Sequence, residues 1–198
     1  MAGTATDGRV RRGTQNREAI VDALLGLYRA GNLQPTAQQV AEAAHVAPRS
    51  VYHHFADMEG LVAEVSSHQL REHGHLMEAP AGDGALATRV AALVDRRAEL
   101  FEAVAPVRRA ALLQAHRSAT VRRNLAGLAR RLRKQVETSF RPELETRSPA
   151  ARAELVDVLD VLASWEVWDR LRSQQRVDTR RARGVLTAAI MTLLEDRR

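Results

Sequence analysis

The sequence predicts an all-α chain of about nine helices, and three observations carry that prediction. Ala, Leu, Val and Arg abound while aromatic residues are only 4%, a mixture that favours helix over sheet. Apolar residues recur three and four positions apart, with no stretch of strict alternation. Gly, Pro and capping residues interrupt that pattern at helix-length intervals.

Residues 1–14 read as a flexible basic arm, with Arg9, Arg11 and Arg12 among Gly, Thr, Asp and Ala and no apolar period. A first helix is expected from Gln15 to Ala30, on Ile20, Leu24 and Leu27/Tyr28, with Gly31 and Asn32 as its stop. Thr36 then caps the first of two short helices, at 36–44 and 48–54. Residues 15–56 thus form a small head. Residues 57–198 form a larger body, whose first helix, 57–78, is capped by Asp57 and links body to head.

The segment 79–84, with Pro80, Gly82 and Gly84, is the clearest linker. Later helices are expected at 85–104, at 106–116 opened by Pro106, and from Ser118 to Arg141–Pro142. An eighth should run from Ser148–Pro149 to 175, and a ninth from Asp178 or Thr179 nearly to the end. The last two are apolar over a wide arc, from Leu155 through Trp168 and from Val185 through Leu194, which predicts a second buried surface such as a subunit interface.

The chain has 198 residues, 45% of them apolar, enough to bury a real core. It has no cysteine, so disulfides, thiolate metal sites and cysteine nucleophiles are excluded. No run of signal-peptide or membrane-span length is evident, and the expectation is a cytoplasmic protein without membrane contact. The net charge of +6 and pI near 10.9 suit a polyanionic partner. Nearly all the positive charge is arginine, with Lys134 the only lysine.

Residues 36–54 carry the most specific pattern. Two short helices crossing through a tight turn need apolar inner faces, a small residue at the crossing and a turn that tolerates unusual backbone angles. Val40, Ala44, Val46 and Val51 supply the apolar contacts, Ala41 is the small residue, and Pro48 stands where a first-turn proline is tolerated. In such a helix-turn-helix the second helix enters the major groove of double-stranded DNA. Its outward residues would be Arg49, Ser50, Tyr52 and His53, with His54 turned inward. Arg reads guanine, Ser is versatile, and Tyr and His bond to phosphate or stack. Thr36 would reach a phosphate with its hydroxyl as well as cap its helix. A helical hairpin with no DNA role would show the same apolar residues.

The run from Thr36 to Phe55, followed by Glu59-Gly-Leu61, resembles the DNA-binding region of the TetR family of bacterial transcriptional regulators. The resemblance implies a DNA-binding head, a ligand-binding body and a homodimer formed by the last two helices. It also implies a repressor on a near-palindromic operator, released by a small-molecule effector. Two positions depart from the family pattern: His45 stands where glycine is usual, and Met58 where a phosphate-contacting lysine is common. Grip on phosphate would then fall more on Arg9, Arg11, Arg12 and Arg17. Residues 1–56 hold six arginines against four acids, so the head is only mildly basic.

In the body, Trp165 and Trp168 share a helical face and would either line an apolar effector pocket, with Asp169, Arg109 and His116 as polar neighbours, or pack in the core. Residues 107–141 hold ten basic residues against one acid, which reads as a solvated face or as a site for an anion. His68, Glu72 and His75 share a face but lack a fourth zinc ligand, so no metal is expected. No cofactor motif or catalytic set is recognisable, and the chain does not read as an enzyme. The alternative function is a helical interaction or scaffold protein whose head reads no specific site.

Overall fold

The structure is a computed structural model that describes residues 4–80 and 84–195, with side chains from 13 onward within them. Among these residues every regular element is helical. The order is α1 (Thr4–Arg29), α2 (Ala37–Ala43), α3 (Pro48–His54), α4 (Met58–Glu72), a 3-10 turn (Gly74–Met77), α5 (Leu86–Gln114), α6 (Ala119–Ser139), α7 (Arg141–Glu145), α8 (Pro149–Leu162), α9 (Trp165–Asp169), a π-helical turn (Arg170–Gln174) and α10 (Thr179–Glu195). No described helix is long and apolar enough to cross a membrane.

Several boundaries differ from expectation. Helix α1 begins at Thr4, so its backbone takes in most of the expected arm. Arg and Ala are strong helix formers, and the isolated Gly8 and Gly13 do not break the run. The side chains of Arg9, Arg11 and Arg12 lie outside the described residues. Helix α4 stops at Glu72, six residues before the expected end, and Gly74 opens a 3-10 turn instead. Residues 81–83 of the expected linker also lie outside the described residues.

Pro106 does not open a helix; it sits inside α5. It removes one backbone hydrogen bond, which ordinarily costs about 3 kcal/mol. The buried positions Leu93, Arg97, Leu100, Val104, Val107 and Ala111 continue in unbroken four-and-three spacing through it. Burial of one continuous stripe outweighs the missing bond. The expected eighth helix breaks at Ala163. There the Ser164 hydroxyl accepts the Val167 N–H (3.3 Å) and caps α9.

The chain divides into two compact units, Met1–Arg71 with Val104–Leu125, and Glu72–Ala103 with Ala126–Arg198. In the second, the fully buried Arg97 satisfies groups on α6 and at the α8 end. Its Nε donates to Gln135 Oε1 (2.9 Å), Nη1 to the Ala163 carbonyl (2.9 Å) and Nη2 to the Leu132 carbonyl (2.6 Å). The Ala163 carbonyl is one that a helix end leaves free, so the buried guanidinium and the break in α8 explain each other. Burial pulls Arg97 down to about 10, which leaves it charged at neutral pH. Around it, Arg133 of α6 reaches Asp157 (2.6 Å) and Asp160 (3.7 Å) of α8, and Arg89 of α5 binds Glu143 of α7.

In the first unit, one core of Ile20, Leu24, Tyr28, Val40, Ala41, Val51, Phe55, Leu61 and Val65 joins α1 to α4. The turn between α2 and α3 is a Schellman motif. The Val46 N–H reaches the Ala41 carbonyl (3.0 Å), the His45 N–H reaches Glu42 (3.1 Å), and His45 takes the left-handed backbone at φ 54°.

Two stability outcomes follow. His45→Gly should hold or raise the urea midpoint, by up to about 1 kcal/mol, while the β-branched His45→Val should lose about 1–2 kcal/mol, because only glycine enters this region without steric cost. Arg97→Ala should lose about 3 kcal/mol in the same unfolding measurement, since it leaves a cavity and strips buried acceptors of their donor.

Candidate nucleic-acid interface

The short helix α3 is fixed from one side and free on the other. Val51 (1% exposed) and Phe55 are buried in the core beneath it, and Pro48 stands in its first turn. Residues one and two positions from a buried helical residue point away from it. Arg49, Tyr52 and His53 are accordingly exposed, Tyr52 to 58%, and Ser50 is half-buried. These are the four residues that the sequence assigned to the reading face, and they lie on α3 as expected. His54 is half-buried; burial first, then His53 and Arg17, holds it below the ordinary imidazole value. It is therefore biased toward the neutral form, in keeping with an inward position.

Thr36 caps α2 through a reciprocal capping box. Its hydroxyl accepts the Gln39 N–H (3.2 Å), and Gln39 Oε1 accepts the Thr36 N–H (2.9 Å). The residue is exposed, but the observed bonds are those of a cap. Asp57 stands just before helix α4, and its carboxylate accepts the Gly60 N–H (2.8 Å). Met58, next to it, is half-buried and packs against the head's core. The side chain that replaces a common lysine thus serves packing at this position. The first turn of α4 is held further by Ser118, which donates to Glu59 Oε1 (2.7 Å) and accepts the Val121 N–H (2.9 Å) as the cap of α6.

Arg17 is engaged within the head. Its Nη2 donates to Glu64 of α4 (2.8 Å), and its guanidinium carbon lies 4.7 Å from the centre of the Phe55 ring. Glu64 also accepts from Arg71 (3.1 Å). The partners of Arg17 are 38 and 47 residues away in sequence, so no local spacing rule announces them.

The residues proposed for an effector pocket fall in both units, Arg109 and His116 in the first and Trp165, Trp168 and Asp169 in the second. Trp165 (3% exposed) and Trp168 (1%) are buried in the second unit. Trp165 meets Phe101 edge to face, and the Trp168 indole N–H donates to Glu102 (3.0 Å), which also receives Arg172 (2.8 Å). Asp169 accepts from Ser173 (2.8 Å). Arg109, on α5, and His116, just beyond its end, are exposed. A cleft of about 460 Å³ in the second unit is lined instead by Arg133, Glu137, Leu144, Arg147, Arg152 and Val156, among others. The basic run 107–141 splits likewise: Arg133 and Lys134 are paired with acids, while Arg122, Arg123, Arg130 and Arg131 are exposed. His68 and Glu72 lie on α4 while His75 falls in the following turn, and no metal-binding cluster forms among the described residues.

Residues 20–65 match the family described as bacterial regulatory proteins, tetR family. No curated protein matches the chain by sequence. Solved structures share its fold. A TetR-family transcriptional regulator from Streptomyces coelicolor aligns with a TM-score of 0.73 at 17% identity, over 91% of this chain and 80% of that one. A transcriptional regulator from Rhodococcus sp. Rha1 aligns at 0.68 and 16%, over 93% and 96%. The multidrug binding protein EbrR, complexed with imidazole, aligns at 0.54 and 21%, over 87% and 93%. Residues 20–65 are thus a helix-turn-helix of the tetR type of bacterial regulatory proteins, in a chain that has the fold of TetR-family transcriptional regulators.

Proposed function

We propose that the chain is a ligand-responsive repressor that binds a near-palindromic operator as a homodimer and leaves it when a small-molecule effector binds the body. The observation that carries the DNA reading is α3 itself. Its inner residues, Val51 and Phe55, are anchored, and Arg49, Tyr52 and His53 stand free on the outside of a tetR-type helix-turn-helix. Arg reads guanine edges, and Tyr and His bond or stack at the backbone. Two such helices in successive major grooves of one operator lie about 34–36 Å apart. A DNA reader of this kind works in the cytoplasm.

The dimer reading is supported by α8 and α10 of the second unit. They pack together yet leave Val158 (38%), Val161 (62%) and Val185 (44%) exposed. Apolar residues on neighbouring helices, turned to solvent, suit a second copy of the same surface. Effector binding is drawn from the fold's likeness to a multidrug binding protein. An effector releases DNA only by binding the released state more tightly. The scaffold alternative leans on His45 and Met58. His45 takes the left-handed backbone that the turn needs, and Met58 packs against the core, so both are accommodated in the fold of the head.

The test is an anisotropy titration of a labelled duplex from the chain's own upstream region. Salt-dependent, saturable binding to one palindrome is expected. Arg49→Ala and Tyr52→Ala should each weaken it roughly 10- to 100-fold at unchanged melting temperature, because a good base contact contributes about 1–3 kcal/mol and both side chains are exposed. No binding even at low salt would refute the regulator. Val161→Arg should shift sedimentation from dimer to monomer; a dimer that persists places the interface elsewhere.

A further inference from the structure

We infer that Arg17 is a positioning residue for the recognition helix rather than a phosphate contact, an inference that rests on the DNA-binding reading above. Three features of its surroundings carry it, all within the first unit. One edge of the guanidinium is given to Glu64 of α4 at 2.8 Å. One face lies over the Phe55 ring, 4.7 Å from its centre. A third group, Nη1, is closed off from solvent and has no hydrogen-bond partner among the described residues. A cation presented to DNA has its donors in solvent, where phosphates are; this one turns two of its three nitrogens to the protein.

The position of Phe55 gives the contact its consequence. Phe55 is the residue that closes α3: its N–H bonds to the Val51 carbonyl (2.9 Å), and its backbone is extended. Its ring is 5% exposed. Arg17 on α1 therefore touches the end of the recognition helix and, through Glu64, the helix that follows it. A seven-residue helix has two turns and no length with which to hold its own direction. What fixes its tilt is the packing of Val51 in the middle and of Phe55 at the end. Planar Arg stacks on an aromatic face and pairs with a carboxylate at once, which the point charge of Lys does less well.

The two roles predict opposite signs for one substitution. If Arg17 held a phosphate, Glu64 would compete for it, and Glu64→Gln would strengthen operator binding. If Arg17 positions α3, Glu64→Gln frees one edge of the clamp and weakens binding. Anisotropy titrations of the full-length protein against its operator and against a random duplex, over a salt series, separate the two. The expected result is a roughly three- to tenfold loss on the operator for Arg17→Met and for Glu64→Gln. The salt slope should stay unchanged, little should be lost on random duplex, and Arg17→Lys should restore part of the loss. Tighter binding by Glu64→Gln overturns the inference. So does a drop in salt slope of about 0.9 for Arg17→Met, the signature of one lost phosphate contact. Operator affinity unchanged in both variants overturns it as well. Melting curves identify any variant that fails to fold, and Glu64→Gln, nearly isosteric on the opposite side of the pair, then decides alone. Wild-type protein that binds neither duplex overturns the DNA reading and this inference together, whereas binding by wild type with the wrong sign for Glu64→Gln fails only the role of Arg17.

Discussion

The head depends on one constraint: α2 and α3 have seven residues each, too few to be helical alone. Isolated helices shorter than about 12–15 residues are marginal in water because nucleation fixes several residues for one hydrogen bond. Their stability comes from the apolar floor that α1 and α4 place beneath them. Ile20, Leu24 and Tyr28 of α1 and Leu61 and Val65 of α4 are buried against Val40, Ala41, Val51 and Phe55. Burying each large side chain contributes about 1.5–3 kcal/mol, so several together outweigh the nucleation cost of a short helix, about 4 kcal/mol. The remaining ends are closed by specific polar bonds, the Thr36–Gln39 box before α2 and the Schellman turn at His45 after it. Arg49 and Tyr52 can be exposed because Val51 and Phe55 anchor the inner side of α3.

The second unit solves a different problem. Its long helices are stable by length, and what they need is a defined arrangement. The means is a cation at a position where the apolar stripe of α5 calls for a hydrophobic residue, Arg97. Three of its donors fix the Gln135 side chain, the Leu132 carbonyl and the Ala163 carbonyl. Gln135 in turn donates to the Leu76 and Glu78 carbonyls at 2.9 and 2.6 Å, so the 3-10 turn is brought into the same network. Buried polar groups of this kind specify one packing among several of similar apolar burial, provided each finds a partner.

These two cases show which parts of the molecule were legible in the sequence. The all-helical class followed from periodicity, and the head followed from spacing: Val40, Ala41, Ala44, Val46 and Val51 occupy positions that only a crossing of two short helices requires. Caps were legible too, at Thr36, Asp57, Ser118 and Ser148, because a cap is a local bond over three residues. Failures came where a distant partner overrode a local signal. Pro106 signals a helix start, yet burial on both sides of it holds α5 together. Trp165 and Trp168 at helical spacing fit a pocket wall as well as a core, and their contacts with Phe101 and Glu102, more than 60 residues away, follow from no local spacing. Arg17 reads as one more cation near DNA until Glu64 and Phe55, far along the chain, are placed beside it.

The spent arginine changes the electrostatics expected of the head. Residues 1–56 have six arginines and four acids, a net charge of +2. Arg17 is paired, and Met58 supplies no charge where a lysine would grip phosphate. Arg49 is the exposed arginine of α3. A protein that neutralises few phosphates releases few counterions on binding and so has little affinity for random sequence. On the proposed function, base and shape readout would then supply a larger share of operator affinity than in a strongly basic head. That places a premium on holding α3 at one angle, because a bidentate contact tolerates little misalignment. On the proposed reading, the contacts of Arg17 and the weak charge of the head are consistent halves of one arrangement: cationic charge inside the head would aim a reading helix whose contacts outside are few.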